Sequence, residues 1–188
     1  MIPRQLVNLA LLLGGATGAL AACSEQDSLA PVIAPHGVEH PGPLSRPAPG
    51  SYELSFVSGG QAVSTLPVCT ESVCPILGLK AAVEDAAGAP AQSGTVTFQY
   101  CSLKGLPPND IERADEAPKE ACETGEGAWR NLGSVKVSLL DGSPHFPPLS
   151  FGAVLIPRTV GFRFRYSSGG SGIANGVSEA ENFTWTNS

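Results

Sequence analysis

The sequence predicts an all-β fold, an antiparallel β-sandwich of about seven strands closed by disulfides. Three observations predict it. From residue 51 almost to residue 188, apolar residues alternate with polar or small ones, the period of two that belongs to a half-buried strand. Helical periodicity is nearly absent over the same span, whereas a parallel sheet would need crossover helices. Cys69, Cys74, Cys101 and Cys122 form an even set inside that span, the arithmetic of disulfides in an exported chain.

The N-terminus supplies the export signal. Arg4 precedes an apolar run from Leu6 to Leu13 and a softer Gly/Ala continuation. A membrane-spanning helix needs roughly 20 consecutive apolar residues. This stretch is shorter and is broken by Asn8, Gly14, Gly15, Thr17 and Gly18, so it reads as a cleavable signal peptide over residues 1–22.

It ends in Leu20-Ala21-Ala22-Cys23, which resembles the lipobox of bacterial lipoproteins at all four positions. The resemblance implies cleavage before Cys23 and lipidation of its thiol, with the membrane as a partner through the lipid. Each buried methylene of the acyl chains contributes about 0.8 kcal/mol. Ser24 follows where an aspartate would signal retention in the inner membrane, so the same resemblance implies the outer membrane.

Residues 23–50 are expected to be a disordered tether. Between Ser24 and Gly50 the chain has six prolines, three glycines and no periodic apolar pattern, too little to offset chain entropy. Such a segment extends at about 3.1 Å per residue and would hold a domain several nanometres off a membrane.

Strands are expected at Tyr52-Leu54-Phe56, Leu77-Leu79-Ala81-Val83, Val96-Phe98-Tyr100, Val135-Val137-Leu139, Phe151-Ala153-Leu155, Val160-Phe162-Phe164-Tyr166 and Phe183-Trp185. Turn chemistry separates them: Gly59-Gly60, Asp85 to Pro90, Asp141-Gly142, Pro147-Pro148, Gly169-Gly170 and Asn175-Gly176. Between Cys101 and Trp129 lies an insertion in which residues 102–127 hold seven acidic and three basic residues. Within it, residues 110–122 alone suit a short helix, limited by Pro118.

The stretch Asp85-Ala-Ala-Gly88-Ala-Pro90, followed by Gly94-Thr-Val96-Thr-Phe98, resembles the strand-turn-strand of bacterial immunoglobulin-like domains. That resemblance implies a single immunoglobulin-like sandwich over residues 51–188, with recognition carried by its loops.

The cysteines allow three pairings. Cys69 with Cys74 and Cys101 with Cys122 is favoured because each pair closes one local loop. A zinc site is the rival, but the spacing lacks the tight pairs of zinc knuckles, and no cofactor is expected.

Without residues 1–22 the chain carries 10 basic against 17 acidic residues, a net charge of −7, and no basic stripe, which argues against nucleic acid. His36 and His40 lie in the tether, and His145 sits in a turn without a nucleophile motif, so no enzyme is expected. Asp110, Glu112, Asp115, Glu116 and Glu120 form a candidate recognition loop, weighed against a solvated acidic loop. The Gly-rich segment 167–176 reads as a mobile loop, and Arg163 and Arg165 share the outer face of one strand, where they either meet an anion or solubilise the sheet. Asn182-Phe183-Thr184 matches a glycosylation sequon by coincidence, and Trp129 and Trp185 are expected in the core or at a sandwich end.

The expectation is a lipid-anchored, noncatalytic recognition or adhesion module of the cell envelope, with a protein or glycan ligand. A structural accessory subunit of an envelope complex is the alternative, and a glycan-active enzyme using paired carboxylates is the third reading. Oligomeric state is left open.

Overall fold

The computed structural model describes residues 47–70, 72–105, 115–170 and 172–187. The chain divides into two units, Met1–Gly42 and Pro43–Ser188. The segment expected to be a signal peptide, Cys23, His36 and His40, and the expected tether as far as Arg46 all lie outside the described residues, as do Asp110 and Glu112 of the insertion.

In chain order the elements are β1 (Ser51–Ser58), β2 (Gln61–Ala62), β3 (Thr65–Pro67), β4 (Leu77–Glu84), β5 (Thr95–Leu103), α1 (Lys119–Glu123), β6 (Gly127–Lys136), β7 (Ser138–Leu140), β8 (Ser143–His145), β9 (Leu149–Phe151), β10 (Arg158–Ser167), β11 (Gly176–Val177) and β12 (Glu181–Thr186). A four-stranded sheet has the order β2-β1-β4-β9. A six-stranded sheet has the order β3-β12-β10-β5-β6, with β11 also on β10, and β7-β8 is a separate hairpin. The chain passes between the two large sheets after β2, after β3 and after β4, returns by way of the β7-β8 hairpin to β9, and crosses again after β9, so the fold is an immunoglobulin-like β-sandwich with two disulfides, Cys69–Cys74 and Cys101–Cys122.

Alternation places one side of each strand in the core. Along β10, Val160, Phe162, Phe164 and Tyr166 are buried while Arg163 and Arg165 face outward. They meet Leu54, Leu77, Leu79, Ala81 and Val83 of the facing sheet. Phe151 stands at 4.9 Å from Phe162 and 5.4 Å from Trp185, ring centre to ring centre, a cluster whose members each gain about 1.5–3 kcal/mol from burial. Trp185 is a core residue, whereas Trp129 is on the outer face.

The turn from β4 to β5 is built by Asp85, whose Oδ1 accepts the backbone N–H of Ala87 at 2.8 Å and of Ala89 at 2.9 Å. Gly94 then takes φ +123° beside the ring of Tyr166, a conformation and a clearance that a side chain would deny.

Several expectations are corrected. Pairing between the named strands is antiparallel except where β3, having left the first sheet, runs parallel to β12, and the isolated bridge between Ala48 and Ile173 is parallel as well. The strand expected at Phe151-Ala153-Leu155 stops at Phe151, because β9 pairs only with Leu77–Leu79. Beyond it the carbonyl of Val154 accepts the Cys69 N–H at 2.7 Å, so Val154 is buried and Leu155 is 61% exposed, the reverse of the expected phase. The strand expected at Val135-Val137-Leu139 starts earlier, at Gly127, and ends at Lys136, leaving Leu139 on the β7-β8 hairpin. Of the span 110–122 expected to suit a short helix, residues 110–114 lie outside the described residues, and α1 begins directly after Pro118, which has no N–H to give to a preceding turn. Regular pairing also begins before residue 51: Ala48 donates to the Gly172 carbonyl at 3.0 Å and accepts from the Ala174 N–H at 2.8 Å. Those bonds, with Tyr52 Oη donating to the Ala174 carbonyl at 2.7 Å, pin part of the Gly-rich segment expected to be a free loop.

Candidate functional site

β10 is the middle strand of the six-stranded sheet, flanked by β5 and β12, and its outward residues define the centre of that sheet's outer face. Next to it, β5 and β6 pair with a register shift between Phe98 and Gln99, which sets Gln99 opposite Asn131 and leaves Leu132 as the extra residue. The result is a row of side chains across three strands. Arg163 Nε donates to Gln99 Oε1 at 2.9 Å, and Gln99 Nε2 donates to Asn131 Oδ1 at 2.8 Å. The Arg163 guanidinium carbon also lies 4.3 Å from the centre of the Trp129 ring, a stacked cation–π contact. Gln99 is buried, so its amide is committed to relaying between the two neighbours.

Partial burial lowers the pKa of Arg163 from its ordinary value, and the like charge of Arg165 adds to that. No acid answers it. One row further, the hydroxyls of Thr97 and Ser134 pair at 2.8 Å, continuing the polar surface.

The insertion forms the wall beside this row. Cys101, Ala117 and Ala121 make a small apolar cluster with Leu103, Cys122 and Trp129 packed on it, so the disulfide holds α1 against the sheet and backs the indole. Gly161 lets α1 approach: a Cβ there would collide with the Lys119 backbone. The Gly161 N–H donates to the Ala117 carbonyl at 2.9 Å, and the Ala117 N–H donates to the Cys101 carbonyl at 2.9 Å.

The acidic residues of the candidate recognition loop have other tasks. Asp115 is 1% exposed, and its Oδ2 accepts the Ser102 hydroxyl at 2.5 Å, while Arg130 Nε donates to that hydroxyl at 3.0 Å. Glu116 meets Arg158 at 3.3 Å with its side chain fully buried. These two carboxylates therefore anchor the insertion and are not offered to a ligand. Glu120 is exposed, yet both its oxygens accept from Asn182 Nδ2, at 3.0 and 2.9 Å, and that hydrogen bond is the main reason its carboxyl titrates below the usual range. Asn182 Oδ1 meanwhile accepts the Lys119 N–H at 2.8 Å, so the asparagine of the sequon is a structural clamp.

The row of Gln99, Asn131 and Trp129 escaped the sequence reading, which singled out only Arg163 and Arg165 in it. Gln99 carried a usable signal, a polar residue between the apolar Phe98 and Tyr100 on a central strand. His145, half-buried beside Pro144 and Phe146, stands over β4 and away from the row. Among the described residues no group of three or more His, Cys, Asp or Glu is placed to hold a metal ion, and no helix is long and apolar enough to cross a membrane.

Comparison with protein-family models, with curated proteins and with solved structures gives no match for this chain.

Proposed function

We propose that this chain is a lipid-anchored, noncatalytic recognition module of a bacterial cell envelope, and that it binds its ligand on the outer face of the six-stranded sheet. The observation that carries the binding face is the fixed row Arg163–Gln99–Asn131 beside Trp129, bordered by an insertion that a disulfide and two buried carboxylates hold in place. Side chains locked in this way lose little entropy when a ligand arrives, which is how a binding surface gains affinity without a deep cavity. The anchoring half of the reading rests on the lipobox-like Leu20-Ala21-Ala22-Cys23 and the proline-rich stretch that follows it. Ser102, which among the described residues is hydrogen-bonded to the buried Asp115 carboxylate, is itself fully buried, which favours a structural role over nucleophilic chemistry.

Two measurements test the reading. Metabolic labelling with a fatty acid should mark the chain and be abolished by Cys23→Ala. Fluorescently labelled protein should bind isolated envelope fractions, and Arg163→Gln should remove that binding while leaving the fold intact. Binding that survives Arg163→Gln unchanged would move recognition elsewhere on the molecule. A stoichiometric crosslinked protein partner, with no ligand on this face, would instead favour the accessory-subunit reading.

A further inference from the structure

The outer-face row has a chemical preference that follows from which of its donors are already used. Arg163 spends Nε on Gln99 Oε1, and its guanidinium lies against the Trp129 ring. Among the described residues its two Nη groups engage no protein acceptor. A guanidinium whose Nε side is occupied retains the end-on fork, two parallel N–H groups that match the two oxygens of a carboxylate. Asn131 has its Oδ1 filled by Gln99, which leaves its Nδ2 as a donor on the same exposed surface.

The local charge supports an anion. The whole chain has a net charge of −6, yet three of the described acids of the neighbouring insertion are engaged within the fold, Asp115 with Ser102, Glu116 with Arg158 and Glu120 with Asn182, while Glu123 and Glu126 are exposed to solvent. Among the described residues neither Arg163 nor exposed Arg165 is in an ion pair, and a partly desolvated guanidinium in that position gains from an incoming anion.

We infer that this row binds the carboxylate of an acidic saccharide, the group sitting end-on at Arg163 with Asn131 donating beside it. The inference rests on the reading of the chain as a recognition module and adds the ligand class to it. A saccharide fits better than an acidic peptide for a geometric reason. Peptides recognised by sheets add to an edge through main-chain pairing. Here the donors are side chains in the middle of a face, mixed with the Thr97 and Ser134 hydroxyls and the Asn131 amide, a surface suited to ring hydroxyl groups.

The test uses the full chain in detergent with three probes: an oligogalacturonate, the same oligomer methyl-esterified, and poly-glutamate. Fluorescence of Trp129, stacked on Arg163, reports contact, with Trp129→Phe separating its signal from that of buried Trp185. The expected result is saturable binding of the oligogalacturonate, weakened about tenfold or more by esterification and by Arg163→Gln, and weakened less by Asn131→Ala. Thermal unfolding of each variant checks that the fold persists. If Arg163→Gln unfolds the chain, Arg163→Lys replaces it, with a several-fold loss expected because a lysine cannot form the fork.

Equal binding of the free and esterified oligomers would overturn the carboxylate assignment. Equal or tighter binding of poly-glutamate would overturn the saccharide assignment in favour of an acidic peptide. If none of the probes binds while labelled protein still binds envelope fractions through Arg163, this inference falls and the recognition reading stands. If neither probes nor envelope fractions bind, both fall.

Discussion

The Glu116 carboxylate and the Arg158 guanidinium meet at 3.3 Å, joining the insertion to the first residue of β10. Their side chains are 0% and 15% exposed, so each charge depends on the other for what water no longer supplies. Arg158→Leu should destabilise the fold by about 3–5 kcal/mol, and Glu116→Leu with Arg158→Leu should recover much of that, because the cost comes from stranding one buried charge. Urea unfolding of the wild type, both single variants and the double variant checks it. A double variant as unstable as the sum of the singles would contradict the account.

The two disulfides should differ in weight. Cys101 and Cys122 are 21 residues apart and Cys69 and Cys74 are 5 apart, so their removal should cost about 3 and about 2 kcal/mol respectively, on loop-closure grounds. Paired Cys→Ala variants in urea give the two values. Loss of Cys101–Cys122 should also expose the insertion to limited proteolysis, since that bridge holds α1 on the sheet.

Glu120 should make a pH-dependent contribution. Its carboxyl is held below the ordinary glutamate value of 4.5, first by the Asn182 amide and then by a backbone N–H, with desolvation opposing them and the charge of Lys119 adding the least. A depressed folded pKa means that the carboxylate stabilises the native state above the unfolded pKa. That contribution fades as pH drops below about 4.5 and through the folded value. Carbon-detected NMR titration of the Glu120 carboxyl should show a midpoint that rises in Asn182→Ala. Melting curves of Glu120→Gln should converge with those of the wild type only in strong acid.

Gly94→Ala should be poorly tolerated. Its φ of +123° disfavours a side chain, and a Cβ would stand 2.8 Å from the Ser167 carbonyl oxygen as well as against Tyr166. The expected loss is about 1–3 kcal/mol. Circular dichroism melts decide it, with Gly88→Ala, where nothing lies within 4 Å of the added atom, as the comparison that reports backbone conformation alone.

Much of the sandwich was legible because one-sided burial writes itself as alternation: Phe162 and Phe164 inward, Arg163 and Arg165 outward. The disulfide pairing was legible for a related reason, since short loops bring cysteines together with little help from the rest of the fold. Phe151-Ala153-Leu155 misled because alternation continues into a segment that has lost its partner strand. The acids of the insertion misled more deeply. Charge density suggests solvent, but Asp115 and Glu116 are buried by partners at Ser102, Arg130 and Arg158, residues that only the folded topology brings near. The same holds for the outer-face row, in which Gln99, Asn131 and Arg163 come from three strands and are brought together by a one-residue register shift.

Ala48 is hydrogen-bonded on both sides to the segment between β10 and β11, ahead of the first strand of the sandwich. Those bonds lie across the chain direction, so a pull on the N-terminal side loads them together in shear and does not peel them one at a time. The force then passes along the backbone through Pro49 and Gly50 into β1, and in parallel through Ala174 and Tyr52, and on to β4, spreading over the four-stranded sheet. A module hung from its N-terminus and gripped on the face of the other sheet would thus carry tension across its core, with the first mechanical yield point at Ala48 rather than in the binding face.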